Sequence, residues 1–423
     1  MKLNTPIRTR TSTLFYLAAT ASLLASVGEA VTRSDFKTCE QSAFACRHRA
    51  IAEPMIPPAS APKPKTNAKP KSNTKSNTKP KLDTKPKPKT TFQPKMPKTG
   101  RKPASSYKVV KGSVCLKGNT LEAVVQHEQA KVPLRLEVRF LANGAIRVHV
   151  CEVEPLVPRY NEAFKHALPD NGESLVYASP DDLVMSSTTV DGVTIHVITY
   201  DRAGKPTVAV RMSEDPWTLV CLVNDKPVMQ LNTSGYFHFE HLRRRPDGLL
   251  KDVDACWEEP FEEWVDVKKR GPESVGIDIN FEGFEHVYGL PEHTTPLALK
   301  DTCGNAEDAY DQPYRLFNLD VFGYEMDTPM GLYGSIPFMM AHSVETTAGV
   351  LWLNASETWV DVVTRKAKPG LGGQSSVNTH WFSESGTMDI FLFPGPSIAE
   401  MYSQYADVVG KTPLPREFAL GYH

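Results

Sequence analysis

The chain has 423 residues, 40% of them hydrophobic, and a formal net charge of −1, enough for two or three domains with hydrophobic cores. The charge is unevenly spread. Residues 54–103 hold 14 of the 48 Lys/Arg but one of the 49 acids, Asp83, so the rest sets 34 basic against 48 acidic residues, and that acidic body is not a nucleic-acid binder by charge.

In chain order, residues 1–30 read as a secretory signal peptide. Lys2, Arg8 and Arg10 form a basic start, Leu14 to Val27 an apolar run, and Gly28-Glu29-Ala30 a small-residue cleavage site. The run is short for a bilayer, so no membrane span is expected. Residues 31–53 form a Cys-bearing segment. Of seven cysteines, Cys39 and Cys46 are the expected disulfide: they are close together and follow the cleavage site. The odd count leaves at least one thiol unpaired. No pair has C-x-x-C spacing, which leaves a zinc ribbon unsupported.

Residues 54–104 alternate Lys and Pro without apolar period, as a disordered spacer does. From residue 105 to 395 the pattern is mainly β. Leu134, Leu136, Val138 and Phe140 alternate with charged residues, Ala142-Asn143-Gly144 turns the chain, and Ile146, Val148 and Val150 alternate again. Val190-Asp191-Gly192-Val193 repeats the device. Trp217 to Val223, Val228 to Leu231, Val275 to Phe281, Val350 to Leu353 and Trp359 to Val363 are further strands. No amphipathic helix is expected between Tyr107 and Trp359, so the fold class is an antiparallel β-sandwich. Residues 396–415 read as helix and linker: Ser397 caps a helix with Ile398, Met401, Tyr402 and Tyr405 on its apolar face, ended by Gly410. Residues 416–423, with Phe418 to Tyr422 apolar, read as a buried strand cut off at its start, as in a fragment.

The chemistry-bearing candidates are few. There is no G-x-S-x-G, H-E-x-x-H, P-loop or Rossmann fingerprint, and Gly370 to Gly373 reads as a loop tip. His238 and His241 lie three apart in a strand and face opposite ways, so no metal site is expected. Glu285-His286 and Glu292-His293 flank a Gly/Pro loop and are expected to fix it. Residues 285–327 mix aromatics, acids, Gly and Pro without period. Irregular chain of that length within a domain usually has a function. Aromatic faces beside carboxylates suit a sugar.

The blocks EHVYGLPEH, PYRLFNLDVFGYE, LYGSIPF, GVLWLNASETWVDV, SESGTMDIFLFPGPS and FALGYH resemble glycoside hydrolase family 31, in its glucosidase II alpha-chain branch. The resemblance implies a galactose-mutarotase-like sandwich followed by the truncated start of a (β/α)₈ barrel. It implies an α-glucosidase that trims α-1,3-linked glucose from N-glycans with retention, in the endoplasmic reticulum lumen. It implies no cofactor or metal, and two partners: a lectin-bearing glucosidase II beta subunit and the N-glycan of a nascent glycoprotein. Asp320 is the implied sugar-touching acid and Phe322 the implied leaving-group aromatic. The start SDFKTCE resembles the mature start of these chains and supports the Cys39–Cys46 pairing.

Trp264-Val265-Asp266 and Trp359-Val360-Asp361 look like the family's Trp-x-Asp nucleophile, yet lie in a charged connector and a sandwich strand. The family's catalytic carboxylates belong to later barrel strands, so none is expected in these residues and the chain alone is expected to be inactive. The alternative is a non-catalytic carbohydrate-binding or scaffold sandwich. Asn232 and Asn354 head N-x-S/T acceptors and are expected glycosylation sites.

Overall fold

The computed structural model describes residues 36–52, 107–244, 257–261, 264–303, 308–321, 323–367 and 374–421. The expected signal peptide, the Lys/Pro spacer, Gly370 to Gly373, Cys256 and Phe322 lie outside them.

Three runs of strands build two large sheets and a separate two-stranded hairpin, Trp257–Phe261 with Trp264–Lys268. The first run is β1 (Tyr107–Val109), β2 (Cys115–Lys117), β3 (Thr120–His127), β4 (Pro133–Phe140) and β5 (Ile146–Glu152). The second is β6 (Leu183–Val190), β7 (Val193–Tyr200), β8 (Val208–Glu214), β9 (Trp217–Val223), β10 (Lys226–Leu231), β11 (His238–Phe239), β12 (Trp257–Phe261), β13 (Trp264–Lys268) and β14 (Val275–Glu282). The third is β15 (Val287–Gly289), β16 (Tyr314–Leu316), β17 (Phe338–His342), β18 (Thr347–Trp352), β19 (Thr358–Arg365), β20 (Ser376–Ser383) and β21 (Met388–Phe393).

One sheet runs β1-β3-β4-β5-β21-β18-β17-β15, with β2 on β3; the other runs β16-β19-β20-β14-β10-β9-β8-β7-β6, with β11 on β14. Every pairing is antiparallel, and one apolar core drawn from both sheets fills the space between them. The expected sandwich is therefore present. The two-residue turn between β6 and β7 places both Asp191 and Gly192 at positive φ, the twist a tight hairpin needs. At the centre Trp352 and Trp381 stack at 6.1 Å, and their indole N–H groups donate to Ser383 and Thr379. Burial of these rings is thus achieved without stranding a donor.

Helix α1 (Ala43–Ile51) is an element the sequence reading missed, as is the one-and-a-half-turn α2 (Glu162–Ala167). Helix α3 (Ile398–Val409) matches its prediction at both ends: Ser397 and Glu400 form a capping box and Gly410 takes positive φ. Its buried face is different, though. Met401, Gln404 and Val408 face inward, whereas Ile398 and Tyr402 are exposed. The buried strand expected at 416–423 is corrected too. Glu417–Leu420 form an exposed 3₁₀ turn; with no paired strand beside it, the backbone satisfies itself locally.

α1 explains why β14, β19 and β20 are buried on both faces. Phe281, Val360 and Trp381 enter the core, while Asp278, His380 and Asp361, opposite one another on three neighbouring strands, turn outward, His380 and Asp361 beneath α1 and Asp278 toward the Ser234 and Tyr236 amides. Gly276 permits the close approach: a Cβ there would stand 2.6 Å from the His48 ring. Arg47 of α1 pairs with Glu240 at 2.6 Å and Arg49 with Asp361 at 3.2 Å.

The expected Cys39–Cys46 disulfide is not formed in this structure. Cys39 and Cys46 are both free thiols in this structure. Cys39 is buried with Phe44, Trp359 and Phe382, whereas Cys46 is exposed and its thiol points at the Glu40 and Cys39 carbonyls.

Acid is expected to loosen this junction. His48 and His380 are fully buried, and neither ring nitrogen of His380 has a hydrogen-bond partner. Burial, with Arg49 and His238, holds His380 down to about 3; burial, with His238 and His380, lowers His48 as well. Arg47, Glu240 and Ser274 also face His48, and Tyr236, Asp278 and Asp361 face His380. A depressed imidazole pKa contributes stability that is complete above about pH 6.5 and lost as pH falls toward 3. Burial pushes Asp278 up to about 6, which acts in the opposite sense in both proteins compared below. Between pH 7 and pH 5, His380→Leu should therefore gain about 2 kcal/mol on the wild-type chain in urea unfolding. A gap that does not change with pH would refute a proton-excluding role for His380.

Candidate functional site

Between β16 and β17 the chain leaves the sheets as an arm, residues 317–337, whose described residues form no strand. Backbone bonds pin it. Leu319 donates to Leu332 at 2.6 Å, Leu332 to Glu292 at 3.1 Å, and Arg315 to Pro329 at 3.1 Å. The Tyr333 hydroxyl donates to the Val321 carbonyl. Val321, Met330 and Leu332 are buried in a small cluster of their own, with Leu319 against it.

Asp320 stands between Leu319 and Val321 and is exposed. Val321 beside it is buried and Leu319 half-buried, while the Asp320 side chain stays in solvent. Further along, Asp327 takes positive φ, pairs with Lys300 at 2.7 Å and accepts from Tyr310 at 2.6 Å. Those contacts hold its carboxyl below the usual range. Tyr324 and Met326 are exposed beside it, so the arm offers acids and apolar faces together.

The other candidates take structural positions. His293 is lodged against the carbonyls of Leu290 and Arg315, and Glu292 accepts the Gly334 amide at 3.0 Å, so both fix the base of the arm. Asp266 is exposed on the β12–β13 hairpin. Asp361 is inside the protein, against Arg49 and Thr302. Among the described residues no three His, Cys, Asp or Glu side chains converge as a metal site requires, and no described helix is long and apolar enough to cross a membrane.

The two N-x-S/T asparagines also face inward. Asn232 is buried at positive φ, its amide donating to the Trp217 carbonyl at 2.6 Å. Asn354 is buried and donates to the carbonyls of Ser385 and Thr387, while Ser356 donates back to its oxygen at 2.7 Å. Both amide nitrogens that a glycan would need are taken.

Residues 135–361, spanning β4 to β19 and including the arm, match the family model of the glycosyl hydrolase 31 N-terminal galactose mutarotase-like domain. The chain belongs to glycoside hydrolase family 31. It is 31% identical to neutral alpha-glucosidase AB of Mus musculus over 98% of its own length and 41% of the relative's. It is 42% identical to glucosidase 2 subunit alpha of Schizosaccharomyces pombe over 53% of the chain and 24% of the relative. A solved, Tris-bound glucosidase II alpha subunit superposes with a TM-score of 0.70 at 31% identity, covering 94% of this chain and 39% of that one. The chain thus spans about two fifths of the length of the full-length relatives it matches.

Two structural determinants escaped the sequence reading. One is α1, whose three charged or imidazole side chains, Arg47, His48 and Arg49, hid its buried face. The other is Arg159, which ties β5 to three loops. Its signal, an arginine after Pro158 in an acidic stretch, is too common to single out.

Proposed function

We propose that these residues are the sugar-facing sandwich of an α-glucosidase of the glucosidase II type. The single observation carrying this reading is the likeness to glucosidase II alpha subunits, one of them solved in an α3-Glc2-bound form, across more than nine tenths of the chain. The exposed acid on a pinned arm supports it. On this reading Asp320 hydrogen-bonds a terminal α-linked glucose and Phe322 lines the neighbouring subsite. The substrate class is the α-1,3-glucosylated N-glycan of a new glycoprotein, met in the endoplasmic reticulum lumen after signal cleavage. A regulatory beta subunit is the proposed partner; one solved neighbour is a heterodimer of catalytic subunit and the regulatory subunit's binding domain.

A retaining glycosidase needs two carboxyl groups about 5 Å apart across the scissile bond. Asp361 is committed to Arg49 and Thr302 within the protein. We therefore propose that the acid pair, and with it the other half of the sugar pocket, is supplied by a catalytic barrel, and that these 423 residues alone neither turn over substrate nor bind it measurably. The expected result is no release of nitrophenol from 4-nitrophenyl α-glucoside. Turnover by the pure chain, abolished by Asp361→Asn, would overturn the assignment. Calorimetry with a glucosylated mannose oligosaccharide separates the second reading, a freestanding carbohydrate-binding sandwich: binding lost in Asp320→Ala would favour it.

A further inference from the structure

The cluster holding Val321, next to Asp320, is completed by a residue almost three hundred positions away. Phe36 packs against Val321, Met330 and Leu332, the same group that flanks Asp320 through Leu319. One residue on, the Lys37 carbonyl accepts from Arg315 at 3.4 Å, and its ammonium lies 3.9 Å from Glu357. Arg315 pairs with Glu357 at 3.0 Å, and its guanidinium lies between the Phe317 and Trp359 rings. Planar stacking with ion pairing suits arginine and keeps the guanidinium from rotating. The next turn is fixed as firmly: Cys39 donates to the Gln312 side chain at 2.6 Å, and α1 follows with its Arg47 and Arg49 ion pairs.

The segment from Phe36 to Ile51 therefore has two grips. α1 holds the outer face of β14 and β20, and Phe36 holds the arm. The arm's described residues have no strand pairing, and its own cluster is small. Loops with few buried contacts open locally at low free energy, and the cluster that buries Val321, next to Asp320, is covered in part by Phe36.

We propose that Phe36 is a positioning residue for the sugar-facing arm, with Lys37 and Arg315 as its anchor and α1 as its mount. The role of the arm rests on the glucosidase reading above; the mechanical link does not, because the test needs no sugar. Amide hydrogen exchange on the whole chain, read by mass spectrometry, compares wild type with Phe36→Ala and Phe36→Leu. In Phe36→Ala, protection at 317–321 and 328–332 should fall at least about tenfold, while β14 and β20 and the melting temperature stay near wild type. Phe36→Leu should restore most of that protection, since it refills the apolar site. Glu357→Gln, which releases Lys37 and Arg315 without touching the apolar cluster, serves as the second variant and should also speed exchange in the arm. Unchanged arm protection in Phe36→Ala, or loss spread evenly over the sandwich, would overturn the proposal.

Discussion

Arg159→Met should cost the fold about 3–5 kcal/mol, the usual penalty for stripping one partner from a buried ion pair. Arg159 is 2% exposed and Glu152 4% by side chain. The guanidinium donates to both Glu152 oxygens, at 2.7 and 2.8 Å, and to the carbonyls of Glu273, Gly386 and Glu240. It also lies 4.4 Å from the centre of the Phe239 ring. One side chain thus serves an acid at the end of β5 and three separate loops. Methionine fills the space but leaves a carboxylate with the Leu242 amide as its remaining donor, together with three carbonyls that lose this donor. Burial opposes ionisation of Glu152, and Arg159 reverses it, so the variant should also lose the part of its stability near neutral pH that depends on this carboxylate. Thermal unfolding should show a fall of roughly 10 °C. Arg159→Lys should recover little, because an ammonium cannot reach acceptors arranged around a planar fork. A fall of only a degree or two would show that water replaces the guanidinium without penalty.

Asp361→Ala is the second large effect, again about 3–5 kcal/mol, and its origin is a stranded charge rather than a lost bond. The pair is close but poorly aligned: Arg49 meets Asp361 at 3.2 and 3.5 Å, and the strongest bond to the carboxylate is the 2.8 Å donation from Thr302. Burial pushes the Asp361 carboxyl up, and Arg49 and Thr302 pull it back. Removing it leaves Arg49 charged beneath α1, beside His380 and Cys39, without its buried counter-ion. The double variant Arg49→Met, Asp361→Leu should therefore be more stable than either single change. Circular dichroism in urea decides the point. If Asp361→Ala left stability intact, the acid would have no structural duty and its resemblance to a Trp-x-Asp nucleophile would regain force.

Particular elements show what was legible. β4 and β5 alternate because one face meets the core and the other water, and alternation is visible in any single sequence. The Asp191-Gly192 turn and the Ser397–Glu400 cap are equally local, each set by residues within a few positions. β19 was harder. TWVDVVTR hides an acid on its outward face, and both faces are buried, so its burial cannot be told from its pattern. α1 was missed because its two buried apolar residues, Phe44 and Ala45, stand beside Arg47 and Arg49, whose partners Glu240 and Asp361 lie some 190 and 310 positions away. Asparagines in N-x-S/T contexts look alike on paper; Asn232 and Asn354 are set apart by the carbonyls that claim their amides.

The order of residues alone determined the β-class of the chain, its hairpins, its capped helix, the family to which the blocks around the arm belong and the acid that the arm would carry. Those properties depend on near neighbours, side-chain period and backbone dihedral preference. The tertiary structure decided which charges are buried, that α1 covers the outer face of β14 and β20, and that Phe36 packs on the cluster holding Val321, next to Asp320. A charge becomes costly or useful according to what the fold brings against it, and partners hundreds of positions away are fixed by packing, which local sequence does not encode.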